Sequence, residues 1–430
     1  MTSARSRKLF GARLREIRHS RGYTLEQVCT LTGDHVTKNH LSEIESGKCV
    51  PRLDTLRPLV DVLEADIEEI YLSYIAIKPT KSSLMTIISM GLEKHQKKLV
   101  FKASDVLCRL AKTSSDPYHL AFSLYVRQLL RSTPSNKTIG IIAKLLLQNK
   151  RQSIFSFLEI AYHQAKLVNS LSVFRLLMDL IINKIAFDDG KMVKIWYWYA
   201  QSLYFNQMYI KALKYCELAY QKLSHVADVT LKSYILLRLG NILLQLKAYS
   251  DSLDCYKECI AILGDDLTNP NVLGSYCNIG RIHLLQQEFE KSRYYYKKVV
   301  SLSEDKSLVK LNALSDWCFA EIKLRNCQAA KRLLEESEII LHSLNTVANR
   351  YLLTAEHAFY HRNKALILSY EGDGAGAKEH LFKAIEFMEK SHLKDEIINL
   401  VFLFIEFLEK HTTMISEADI QRILLLQGQL

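Results

Sequence analysis

Residues 18–52 read RHSRGYTLEQVCTLTGDHVTKNHLSEIESGKCVPR, and the glycines and hydroxyls in this stretch divide it into short helices. Before it, Phe10, Leu14 and Ile17 fall at i, i+4 and i+7, which predicts a helix from Ser6 to Ser20. Gly22 supplies the left-handed residue that ends it. Thr24-Leu-Glu-Gln27 has the form of a capping box, with Thr24 capping a second helix and Gln27 reaching back. Leu25, Val28 and Cys29 face inward, and Gly33 closes this helix. Thr37 is the next N-cap, and Leu41 and Ile44 are the buried residues of a third helix ended by Gly47. Lys48 to Arg52 is a short basic loop. Leu56, Leu59, Val60 and Leu63 then mark a fourth helix, and Asp66-Ile-Glu-Glu69 caps a fifth.

Lys38, Asn39, His40, Ser42 and Glu43 are left on the outward side of the third helix. Such a set suits the edges of bases: Lys reaches guanine O6 and N7, Asn pairs bidentately with adenine, and Glu accepts from cytosine N4. Two helices joined by a tight turn present the second to the major groove of double-stranded DNA in this way. Arg13, Lys48 and the N-terminal basic cluster would hold phosphates, which position without specifying. On an isolated helix the same residues would read as an ordinary solvated face.

The segment from Ser6 to Tyr71 resembles the lambda-repressor/Cro/XRE family of helix-turn-helix domains. The residues that carry the likeness are Arg18, Gly22-Tyr-Thr-Leu-Glu-Gln27, Leu41-Ser-Glu-Ile-Glu-Ser-Gly-Lys48, Pro51 and the run from Leu56 to Leu63. The resemblance implies a buried ion pair between Arg18 and Glu45. It places Thr24, Thr37, Lys38, Asn39 and Glu43 at DNA-facing positions; with Arg13, Gln27, His40, Ser42 and Lys48, read from the sequence itself, these make the expected DNA-binding set. Two features depart from the pattern: the turn Gly33-Asp-His-Val36 is two residues longer, and Pro58 falls in the first turns of the fourth helix.

The 430 residues exceed one ordinary domain, and 48% of them are hydrophobic, so the chain is globular. Only 15 Gly and 6 Pro are present, which favours helices. The formal charge is +11, and Arg5, Arg7, Lys8, Arg13, Arg15, Arg18 and Arg21 stand against the single acid Glu16 before residue 22. A polyanionic partner is expected at that end. Nine scattered cysteines without a CxxC pair indicate neither a disulfide framework nor a zinc site, and Cys255 and Cys259 are expected as small packing residues. No signal peptide and no membrane span is read, and a cytoplasmic location is expected.

From residue 84 to 430 helix follows helix, after a linker expected at 76–83 that divides this part from a domain at 1–75. Positions repeat at intervals of 40: Tyr209, Tyr249 and Phe289; Ala212, Ser252 and Ser292; Ala200, Gly240, Gly280 and Ala320; Tyr199, Leu239, Ile279 and Phe319. Small residues at fixed places let antiparallel helices approach closely. The pattern resembles the tetratricopeptide (TPR) repeat, lengthened from about 34 residues. It is clear from Ile195 to Glu336, and a degenerate copy with Ala377 and Ala384 spans Tyr370 to Met388. The expected architecture is therefore all-α: a five-helix DNA-binding domain followed by a TPR-like right-handed superhelix. In TPR arrays the first helices make the concave wall. Gln201, Asn241, Arg281 and Glu321 follow the small mid-helix position and are expected on that wall, with Tyr204, Tyr234, Arg238, Gln245 and Asn278 on or beside it. Amides there would satisfy the backbone of an extended peptide; singly, each reads as an ordinary polar group on a wet face.

No catalytic residues, metal site or cofactor are expected, because no phosphate loop, HExxH, GxSxG or paired-carboxylate motif occurs. Gly372-Asp-Gly-Ala-Gly376 reads as a turn between helices. An XRE domain followed by TPR-like helices resembles the RRNPP family of bacterial quorum-sensing regulators. That resemblance implies a cytoplasmic receptor for a short linear signalling peptide, dimeric or of higher order through its TPR domain, that switches transcription. A second reading keeps the DNA domain and makes the chain a repressor of a phage or mobile element whose array binds a protein effector; a third is a structural adaptor whose basic N-terminus only tethers nucleic acid, without sequence-dependent binding.

Overall fold

The computed structural model describes residues 3–77, 79–223, 228–264, 268–304, 307–344, 353–391 and residue 403. Apart from residue 403, the part of the expected array from 392 to 430 lies outside the described residues. Among the described residues every element is helical: twenty-one α-helices and one 3-10 turn. None of these helices is long and apolar enough to cross a membrane. The chain divides into two compact units, 1–226 and 227–430.

The first unit opens with α1 (Ser3–Ser20), α2 (Leu25–Leu31), α3 (Lys38–Glu45), α4 (Leu53–Val62) and α5 (Ile67–Ile77). Phe10, Leu14, Val28, Leu41, Ile44, Leu56 and Leu59 are buried and form its core. The crossing of α1 over α3 is backbone on backbone. A Cβ on Gly11 would stand 2.2 Å from the Ile44 carbonyl oxygen, and one on Gly47 would stand 2.7 Å from Lys8 Cα, with Gly47 also at φ +74°. The long turn before α3 is held by Val36, which is 2% exposed, while Gly33 and Asp34 take φ +64° and +59° around it.

The stretch expected as a linker, 76–83, is mostly helix. The helix α5 runs to Ile77 and α6 (Lys81–Glu93) opens at Lys81. The polar residues that suggested a linker are instead a cap: the Thr80 hydroxyl accepts from the Ser83 N–H, and Ser83 Oγ accepts from the Thr80 N–H at 3.0 Å. Pro79 precedes this cap, where its missing N–H is harmless. The five-helix bundle lies in the same unit as the helices that follow it. Its α5 packs on α7 (Lys97–Thr113), and Lys98 Nζ meets Glu68 Oε1 at 2.8 Å. Further antiparallel helices complete the unit: α8 (Pro117–Leu129), α9 (Asn136–Leu147), α10 (Arg151–Leu167), α11 (Leu171–Ile181), α12 (Asp189–Phe205) and α13 (Tyr209–Lys222).

The second unit continues as four helix pairs: α14 (Val229–Gln245) with α15 (Tyr249–Leu263), α16 (Pro270–Leu285) with α17 (Phe289–Leu302), α18 (Leu308–Lys323) with α19 (Cys327–Leu344), and α20 (Leu353–Tyr370) with α21 (Gly374–Ser391). The 40-residue spacing has a steric cause. A Cβ on Gly240 would lie 2.6 Å from the Tyr256 ring, and one on Gly280 would lie 2.9 Å from the Tyr296 ring. Each tyrosine is fully buried and occupies the space that its glycine leaves. The inner turns end in a left-handed residue without glycine, Lys247 at φ +61°, Gln287 at φ +61° and Arg325 at φ +58°; the last comes two residues early on the 40-residue period. Ala377 and Ala384 are buried in the last pair, where Gly372 makes the turn at φ +85°. All nine cysteines are free.

Candidate functional site

The outward face of α3 is set by its cap and its anchor. The Thr37 hydroxyl accepts from the His40 N–H, and Leu41 and Ile44 fix the inward side. Lys38, Asn39, Ser42 and Glu43 are exposed, and His40 is half-buried. Thr24 and Gln27 are exposed at the start of α2 but spend polar atoms on each other: the Thr24 N–H donates to Gln27 Oε1 at 2.8 Å, and the Gln27 N–H to Thr24 Oγ1 at 3.2 Å. Lys38 Nζ bonds Glu26 Oε1 at 2.6 Å, which ties the first turn of α3 to α2 and lowers the Glu26 carboxyl below its ordinary range. A base contact by Lys38 would have to displace this exposed pair.

Beneath the face, Arg18 and Glu45 form a bidentate buried pair, Nε to Oε1 at 2.6 Å and Nη2 to Oε2 at 2.8 Å. Arg18 Nη1 donates to the Tyr23 carbonyl at 2.8 Å, so one side chain ties α1 to both flanks of the turn motif. The Glu45 hydrogen bonds, first among the causes, raise the guanidinium's pKa. Arg13, expected to hold a phosphate, is engaged in exposed ion pairs. Its Nε meets Glu69 Oε1 at 2.7 Å, Nη2 meets Glu69 Oε2 at 3.1 Å, and Nη1 meets Glu16 at 3.1 Å. It is exposed, yet it clasps α1 to α5, because the cap of α5 brings Glu69 alongside. Lys48 is exposed and forms no ion pair with a described residue.

The inner helices carry the second candidate surface. In the first unit, Gln201 is 5% exposed rather than on an open wall. The Tyr162 hydroxyl donates to its Oε1, and its Nε2 donates to the Tyr197 hydroxyl at 2.8 Å. The neighbouring helix α10 supplies the aromatic ring that covers it. Tyr204, on the same helix, is half-buried and lies edge-on to Tyr209 with centroids 5.7 Å apart.

In the second unit, Glu321 is likewise buried, 2% exposed, and accepts from Trp317 Nε1 at 2.8 Å and Asn326 Nδ2 at 2.9 Å. Trp317 one turn earlier and the early turn at Asn326 close over its carboxylate. Tyr234 and Gln245 are exposed, and Arg238 is half-buried. Asn241, Asn278 and Arg281 are half-buried and adjacent. Asn241 Oδ1 accepts from the Tyr256 hydroxyl at 2.7 Å and from Asn278 Nδ2 at 2.8 Å. The remaining amide donor of Asn241 and the carbonyl of Asn278 make no hydrogen bond with a described residue. That leaves one donor and one acceptor side by side, the complement of a peptide unit. Arg281 Nε lies 3.5 Å from Asp316 Oδ2, and its guanidinium stands over Phe359 at 5.7 Å.

Several inner polar residues had no signal in the 40-residue pattern. Asp316 is 5% exposed, and it accepts from the Tyr296 hydroxyl at 3.1 Å. Glu356 is 7% exposed, and Asn312 donates to its Oε1 at 2.6 Å when the amide nitrogen faces it. Arg362 stands over Phe319 at 4.4 Å, and Asn363 Nδ2 donates to the Ser315 carbonyl at 2.7 Å. Burial pushes the Glu356 carboxyl up to about 8, and Asp316 adds to the shift against Arg281 and Arg362.

A helix-turn-helix domain family matches residues 9–71. This part of the chain is a helix-turn-helix DNA-binding domain, ahead of TPR-like helical pairs. A search of curated proteins finds no match. Among solved structures, the apo form of RapI is 11% identical with a TM-score of 0.48, over 68% of this chain and 97% of that one. A Rap protein complexed with competence and sporulation factor is 10% identical with a TM-score of 0.46, over 81% and 97%. Bacillus thuringiensis PlcR, in complex with the peptide PapR7 and DNA, is 17% identical with a TM-score of 0.28, over 66% and 98%.

Proposed function

We propose that the chain is a cytoplasmic transcriptional regulator of the RRNPP kind. It binds a pseudo-palindromic operator through α3, as a homodimer or higher homo-oligomer assembled by the repeat array. A short linear peptide on the inner helices of the second unit switches it. Lys38, Asn39, His40, Ser42 and Glu43 read bases, with Thr24, Gln27, Thr37 and Lys48 at the backbone. A dimer would read half-sites about 34–36 Å apart. The peptide rests on Asn241 and Asn278, flanked by Tyr234, Arg238, Gln245 and Arg281. The observation that carries the peptide reading is the amide pair, whose unspent donor and acceptor stand together on a half-buried face. An effector that grips only backbone groups leaves side-chain specificity to the flanking residues.

Operator sequences are selected from a random pool with the full chain, and short peptides are then screened by calorimetry for binding to it. Asn241→Ala and Asn278→Ala are expected to abolish peptide binding while operator affinity without peptide stays within about twofold, the ordinary spread for a site outside the DNA contact. Peptide affinity unchanged in both variants would remove the groove assignment. Equal affinity for selected and random DNA at physiological salt would remove the regulator reading itself.

A further inference from the structure

A cavity of about 600 Å³ opens within the first unit between the start of α4, the end of α5 and the first turns of α6. That volume is in the range of small-molecule sites, about 300–1,000 Å³. Arg52, Asp54 and Arg57 line it from one side, Tyr74 from a second, and Ser82 and Thr86 from a third. Arg52 and Arg57 are exposed, and neither forms an ion pair with a described residue. The wall opposite is the N-terminal turn of α6, a 13-residue helix whose cap bonds the Ser83 N–H. Its leading amides and positive dipole end favour an anion on this side.

Tyr74 supplies an independent sign of a ligand. It is 3% exposed, with its ring 6.3 Å from Phe10, and it reaches the cavity wall. Its hydroxyl makes no hydrogen bond with any described residue. A hydroxyl that lines a cavity with its donor unspent is available to an occupant. Burial, with a smaller contribution from Asp54, holds the phenol above its ordinary value, so it stays protonated and donates. Asp54 is the acidic member of the lining and accepts donors. The wall therefore suits an anion that also carries hydroxyl or amino groups better than a bare ion.

We propose that this cavity binds a phosphorylated small molecule of nucleotide or sugar-phosphate size. Its phosphate lies between Arg57, Tyr74 and the first turn of α6, and its donors lie on Asp54. The alternative source of a phosphate is the DNA backbone itself. The recessed position of Tyr74, 3% exposed, favours the small molecule, because a duplex phosphate meets outward-facing groups. An occupant bridges α4 of the DNA-reading bundle to α6, the first helix behind it. It would be an effector separate from the peptide, and the inference does not rest on the peptide reading.

The test is titration calorimetry on the full chain without DNA, with ADP, pyrophosphate and adenosine as probes. ADP or pyrophosphate is expected to bind and adenosine not to. Arg57→Gln is expected to weaken that binding about tenfold or more, and Tyr74→Phe, which keeps the ring on Phe10, about threefold or more. No heat from either phosphate probe at millimolar concentration would overturn the proposal. So would affinities unchanged in both variants, or adenosine binding as tightly as ADP. If Arg57→Gln flattened the salt dependence of operator binding and left the probes unaffected, the cation would belong to DNA and the proposal would fail.

Discussion

Arg18 has two of its three nitrogens on Glu45 and the third on the Tyr23 carbonyl, with both charged side chains 6% exposed. A pair buried to this depth contributes little net stability, but removing one partner strands the other charge. Arg18→Ala is therefore expected to destabilise the domain by about 3–5 kcal/mol, read as a lower urea midpoint. A loss below about 1 kcal/mol would mean that water already reaches Glu45. On the exposed face, Asn39 and Lys38 are neighbours with different histories. Lys38 is bonded to Glu26, whereas the Asn39 amide bonds no described residue. If Asn39 makes a bidentate contact with adenine, Asn39→Ala should lower discrimination between operator variants by about 1–3 kcal/mol in competition binding. Equal weakening on every sequence would mark Asn39 as a backbone contact instead.

At the scale of helices, the glycine and the ring that fills its place set the spacing of the pairs. Gly240→Ala in α14 would drive a Cβ to 2.6 Å from the buried Tyr256 ring. Overpacking of this kind costs about 1–3 kcal/mol, which exceeds the roughly 1 kcal/mol that alanine gains over glycine in a helix. Gly274→Ala in α16 is the control, because its Cβ would meet only Leu237, at 3.8 Å. Calorimetric melting should show Gly240→Ala lowered and Gly274→Ala unchanged or raised; loss in both would point to helix bending rather than ring contact. The same small residues made the array legible in the sequence, since Ala200, Gly240, Gly280 and Ala320 keep one phase. The caps at Thr24, Thr37 and Asp66 were legible too, because each is a local pattern of hydroxyl or carboxylate and N–H. What a neighbouring element decides was not legible. The aromatic contact of α10 with α12 buries Gln201, Glu69 in α5 claims Arg13, and the box at Thr80 turns a polar linker into the start of α6. Periodicity within one helix does not register what stands opposite.

Across the whole chain, the division into units at 226/227 gives a way to assign unfolding events. Glu356 lies in the second unit, among Asn312, Asp316, Arg281 and Arg362, with its pKa raised to about 8. An unfolded glutamate titrates near 4.3. The folded state therefore keeps a proton that the unfolded state has released between those two values. The stabilisation is fully present below about pH 4 and declines as pH rises, ending once pH passes the folded value near 8. One extra bound proton corresponds to a slope of about 1.4 kcal/mol per pH unit over that window. Glu356→Gln keeps the size and the Asn312 contact but cannot ionise. It is expected to flatten the pH dependence of the second unit's transition between about pH 5 and 8, and to stabilise that unit relative to the parent at pH 8. The transition of the first unit should not move. Melting curves at a series of pH values, with an operator-bound sample to mark the DNA-binding unit, separate the two. An unchanged slope in the variant would mean that Glu356 is already ionised in the fold, held by Arg281 and Arg362, and that the inner face of the second unit carries one more negative charge at neutral pH than its burial allows.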